Sequence, residues 1–89
     1  MADDIEIRRR RAIYRAIHRG TREMDWLLGR YAEAHVAAMD EPQLARFEQL
    51  LALPDPEIQR WILGPEVVEG LEFAPEIATL RAYHALDRS

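Results

Sequence analysis

The stretch LPDPEIQRWILGP, residues 53–65, carries the punctuation of a short helix with sharp ends. Asp55 is a strong N-cap candidate, and Pro56 suits the first helical position, where an N–H would have no partner. Ile58, Trp61 and Ile62 recur at the spacing of one helical face. Gly64 suits the left-handed position that closes a helix, and Pro65 blocks continuation.

The same punctuation divides the rest of the chain. A first helix is predicted from about Asp4 to His18, with Ile5, Ala12, Ile13, Ala16 and Ile17 as its apolar side and Gly20 as its end. A second runs from about Thr21 to Ala38; Met24, Leu27, Leu28, Tyr31, His35 and Ala38 follow a core stripe. Asp40, Pro42 and Gln43 form the capping-box pattern that opens a third, with Leu44, Phe47, Leu50 and Leu51 facing inward. Residues 65–74 read as an acidic connector. A last helix is expected from Pro75 to about Leu86, with Ile77, Leu80 and His84 on one face and Phe73 as a hydrophobic staple. No segment alternates as a strand does, and no internal repeat or low-complexity tract occurs. The expectation is an all-α fold, a compact bundle of five short helices, in one domain spanning residues 1–89.

Composition narrows the function. The 89 residues are 48% apolar, ordinary for a globular chain, and include no cysteine, so neither a disulfide nor a thiolate metal site staples the fold. Residues 1–30 carry eight arginines against five acids; residues 31–89 carry four arginines against eleven acids. Lysine is absent. The guanidinium fork suits carboxylates and phosphates, which marks the N-terminal third as a contact face. No apolar run approaches the ~18–20 residues of a membrane span. Asp3, Asp4 and Glu6 argue against a transit peptide, so a soluble cytoplasmic protein is expected.

Catalysis finds little support. The only serine is Ser89, which leaves no serine or cysteine nucleophile. His18, His35 and His84 fall on three helices without ligand spacing, and His35 lies on an apolar stripe, so no metal is expected. No glycine-rich phosphate loop occurs, and no cofactor is expected to be held. Arg8–Arg11 lie on one helix, but four consecutive helical residues point four ways. The remaining chain is acidic, so nucleic acid is not an expected partner.

That leaves RGTREMD, residues 19–25, at the corner between the first two helices. Gly20 reads as a cap, with Glu23 three residues on, placed to reach back to the Gly20 N–H. Trp26 projects away from Met24 and Leu28, on the side of Glu23 and Arg30. An exposed tryptophan among charges has the composition of a binding hot spot.

Arg19, Gly20, Glu23 and Asp25 match the R-G-x-x-E hallmark, with its following acid, of the SdhE family of FAD assembly factors. LLALPDPEIQRWILG is similar to that family's leucines, D-P helix start and tryptophan before glycine. The resemblance covers about Ala12 to Gly64 and departs at Thr21, where many relatives carry methionine. It implies a helper rather than an enzyme. Such proteins bind the flavoprotein subunit of succinate dehydrogenase, and often of fumarate reductase, and promote attachment of FAD to a histidine of that subunit. The candidate partner-binding residues are Arg19, Gly20, Arg22, Glu23, Asp25, Trp26 and Arg30, on a chain expected to be monomeric. The alternative is a small regulatory or toxin-neutralising protein associated with nucleic acid, a label this family has also carried.

Overall fold

The computed structural model describes residues 4–64 and 70–84. Five helices follow in order: α1 Asp4–Ile17, α2 Arg22–His35, α3 Glu41–Leu51, α4 Asp55–Leu63 and α5 Ala74–Tyr83. A 3-10 turn, Val36–Ala38, joins α2 to α3. No strand occurs among the described residues. The expected all-helical bundle is therefore what the chain forms.

α1 lies against α2 and α3, and α5 against α4 and α2. Ala12 and Ala16 are the fully buried residues of α1, and their small side chains let it approach α2 closely. Met24, Leu27, Leu28 and Ala32 of α2 meet Leu44, Phe47, Leu50 and Leu51 of α3 in the core. Ile58 and Ile62 of α4 and Ile77 and Leu80 of α5 close it. Burying each large apolar side chain contributes roughly 1.5–3 kcal/mol.

The helix starts follow local chemistry. Thr21 caps α2, its hydroxyl accepting from Met24 N at 3.2 Å. Asp40 and Gln43 form the predicted capping box, each bond 2.9 Å long. The four-arginine run is divided as its spacing requires. Arg8 reaches Glu48 at 2.7 Å and also pairs with Glu41, while Arg9 donates to the Met39 carbonyl at 2.7 Å. Arg10 and Arg11 face solvent. The Arg8 bonds hold the Glu48 carboxyl below its ordinary range.

Several expectations need correction. Asp55 is the first residue of α4 rather than its cap; Pro54 takes the cap position, and the Asp55 carboxylate is engaged elsewhere. Gly64 is extended, at φ −79° and ψ 166°, not left-handed. Glycine is needed there because a Cβ would lie 2.5 Å from the Arg60 carbonyl oxygen. α2 tightens into the 3-10 turn after His35, which rotates Val36 into the core and leaves His35 and Ala38 exposed. Phe73 is itself the N-cap of α5, buried beneath the Arg46 guanidinium at 4.9 Å, so it is no staple. α5 begins at Ala74 and ends at Tyr83. Most of the predicted acidic connector, including Pro65, and the helix end at Leu86 lie outside the described residues.

Candidate partner-binding corner

α1 gives out at Ile17 and α2 starts at Arg22, with four residues between, so Arg19 and Gly20 sit on a tight turn. That turn is locked to a second one, between α3 and α4. Arg19 Nε donates to Asp55 Oδ1 at 2.8 Å, and one terminal nitrogen reaches the same oxygen at 2.6 Å. The other donates to the Leu51 carbonyl at 2.9 Å, and a weaker bond of 3.3 Å runs to the Leu53 carbonyl. One guanidinium thus satisfies carbonyls that the end of α3 leaves without helical partners. Its planar fork is what allows several directed bonds at once. The Arg19 side chain is only 10% exposed.

The backbone of the corner is fixed by two carboxylates. Gly20 N donates to Asp55 Oδ2 at 2.9 Å, and Arg19 N donates to the Asp25 carboxylate. A Cβ on Gly20 would stand 3.2 Å from Asp55 Oδ2, so this turn is shaped for a residue without a side chain. The predicted bond from the Gly20 N–H to Glu23 is therefore replaced by one to Asp55. Because Thr21 is the cap, Glu23 is the second residue of α2 and turns outward. Its carboxylate accepts from Gln59 Nε2 at 3.0 Å, a second bridge from α2 to α4.

The seven candidate residues therefore divide. Arg19 and Asp25 hold the corner from within. Gly20, Arg22, Glu23, Trp26 and Arg30 are exposed. Trp26 is 50% exposed, its other face lying on the His84 ring with centroids 4.5 Å apart. His84 Nε2 lies 2.8 Å from the Leu27 carbonyl, which anchors the end of α5 beside the tryptophan. Asp55 and Gln59 complete the corner but were not among the candidates. The signal for Asp55 was its place in the second motif, which the sequence alone explained as a helix cap.

No group of three or more metal-ligating side chains converges among the described residues. No helix among them is long and apolar enough to cross a membrane. What the corner offers is a braced surface of backbone, one carboxylate, one tryptophan and two arginines. Such a surface has the composition of a binding hot spot.

The chain belongs to the Sdh5 family, described as the flavinator of succinate dehydrogenase, whose model matches residues 10–84. It is 44% identical over 62 residues to the FAD assembly factor SdhE of Acetobacter pasteurianus, covering 70% of this chain and 57% of that protein. It is 39% identical over 81 residues to the mitochondrial succinate dehydrogenase assembly factor 2 of Dictyostelium discoideum, covering 91% of this chain and 57% of that one. Against the FAD assembly factor SdhE of Xylella fastidiosa it is 37% identical over 67 residues, covering 75% of this chain and 69% of that one. The chain thus spans little more than half the length of the first two relatives. No solved structure matches it at a significant level. The resemblance drawn from the two motifs is borne out.

Proposed function

We propose that this chain is an assembly factor that binds the flavoprotein subunit of succinate dehydrogenase and promotes covalent attachment of FAD to it. The match of residues 10–84 to the flavinator family carries the reading. Fumarate reductase, which has a related flavoprotein, is a second client on the same logic. The helper contributes no bond-making group. It acts as a monomer in the cytoplasm, holding the client in the conformation that brings its histidine and the flavin ring together.

The corner supplies the surface for this role. Gly20 permits close backbone approach, and Glu23, Trp26, Arg22 and Arg30 surround it with charge and an aromatic anchor. Arg19, Asp25 and Asp55 act through the turn they hold. The arginine run of α1 does not favour nucleic acid, because Arg8 and Arg9 are engaged within the bundle.

The test is covalent flavin on purified apo-flavoprotein subunit, incubated with FAD with and without this protein and read by fluorescence after denaturing electrophoresis. Faster attachment that is lost with Glu23→Ala supports the reading. No acceleration, and no complex on gel filtration, would refute it.

A further inference from the structure

A line of ring contacts leads from the corner along α2. Trp26 meets His84, His84 meets Tyr83 at 4.9 Å, and Tyr83 stands edge-on to Tyr31 at 5.6 Å. Beyond Tyr31 the surface opens into a pocket of about 300 Å³ between the 3-10 turn, α3 and α5. Its floor is Met39, Phe47, Leu50 and Leu80, all buried in the core. Tyr31 forms one wall, 5.8 Å from the Phe47 ring. Thr79, Pro75 and Gln43 stand exposed at the rim.

We infer that this pocket receives an apolar or aromatic anchor side chain of the same flavoprotein that meets the corner. The inference rests on the function proposed above.

Three observations select that occupant. First, the lining offers no unpaired carboxylate and no arginine, and its one histidine, His35, lies against the Tyr31 ring at 4.7 Å. Glu76 is its only carboxylate, and Arg46 holds both of its oxygens at 3.0 Å. A cationic ligand gains little from such a site. Second, the size suits one ring or branched side chain, since 300 Å³ is the lower end for small-ligand pockets. Met39 adds an adaptable edge. Burial and Glu76 raise the Tyr31 pKa, so its hydroxyl remains a donor for a main-chain carbonyl beside the anchor. Third, the ring contacts from Trp26 through His84 and Tyr83 to Tyr31 link the pocket to the corner. Tyr31 lies eight residues along α2 from Glu23, ~12 Å at 1.5 Å per residue. That distance falls within the footprint of one ordinary protein interface.

The experiment uses the full chain, apo-flavoprotein subunit and Thr79→Arg, which fills the pocket mouth from an exposed position. Binding should weaken by about tenfold or more, with the melting temperature and helical circular dichroism little changed. Thr79→Ser should bind as the parent does. Methyl NMR signals of Met39, Leu50 and Leu80 should shift in the complex of the parent chain. Full affinity of Thr79→Arg with unmoved methyls, while Glu23→Ala binds poorly, would overturn the pocket and leave the proposed function standing. Absence of any complex with the parent chain would remove the proposed function, and the pocket's occupant with it. A free protein that is dimeric by gel filtration, and that Thr79→Arg makes monomeric, would mean that a second copy fills the site, and would also overturn the inference.

Discussion

Arg19 and Asp55 are joined at 2.6–2.8 Å through one carboxylate oxygen, while the other oxygen of Asp55 holds the Gly20 N–H at 2.9 Å. This places the two motifs of the sequence, 36 residues apart, in one hydrogen-bonded unit. The R-G-x-x-E corner and the D-P helix start are therefore two halves of a single structure. Each turn is held by bonds from the other.

Replacing Asp55 tests that dependence. Asp55→Ala leaves the Arg19 guanidinium, 10% exposed, without its counter-charge and the Gly20 N–H without its acceptor. Loss of such a partly buried, hydrogen-bonded pair costs about 2–3 kcal/mol. For a domain of this size that is a fall in melting temperature on the order of 10 °C or more. Calorimetry of the variant checks it. A change of only a degree or two would mean that the corner is held by packing instead.

The bond could not be read from the sequence, and the reason is physical. Aspartate before proline is favoured as a helix cap for local reasons, and local reasoning stops there. Tertiary competition decides where the carboxylate goes: Arg19 needs an anion, and Pro54 can take the cap position without one. The capping box at Asp40–Gln43 was legible because both partners lie within one turn. The core faces of α3 and α4, and of α2 through Met24, Leu27 and Leu28, were legible because periodicity is local too; the stripe failed at His35 and Ala38, where the 3-10 turn changes the period. The exposure of Trp26 followed from its angle against Met24 and Leu28, whereas its contact with His84 depends on where α5 docks. Gln59 carried no signal at all, since a glutamine on an exposed helix is ordinary until Glu23 is seen beside it.

Gly20→Arg separates binding from folding. A Cβ at this position stands 3.2 Å from Asp55 Oδ2, so the carboxylate must yield by a few tenths of an ångström. The helices should remain, with a modest loss of stability, because the rest of the side chain extends from an exposed turn. Client binding should disappear. Circular dichroism and gel filtration with the flavoprotein subunit read the two effects separately; an unfolded variant would assign Gly20 a purely structural role.

Trp26→Ala asks how the exposed half of the ring is used. In the free protein its ring contact with His84 contributes ~0.5–1.5 kcal/mol beyond the area it covers. The melting temperature should therefore drop by only a few degrees. If the other face anchors the client, affinity should fall by about tenfold or more. Titration calorimetry decides: a loss of stability with unchanged affinity would place Trp26 among the packing residues.

The link between α3 and α5 should report pH. Arg46 donates to both oxygens of Glu76, and this pairing, more than the partial burial that opposes it, holds the Glu76 carboxyl below its ordinary value of 4.5. A carboxylate with a depressed folded-state pKa adds stability that is complete above the unfolded value and lost as pH falls through the folded one. Glu76→Gln should therefore melt a few degrees below the parent at pH 7, and the gap should close as pH falls below 4.5 and through the depressed folded-state value. Glu48, held by Arg8, titrates in the same direction, so the parent weakens in acid even where the Glu76 variant no longer differs from it. Thermal melts of both proteins across that window distinguish the cases. A gap that does not narrow as the solution is acidified would show that the glutamine disturbs packing at the start of α5 and that the charge of Glu76 contributes little.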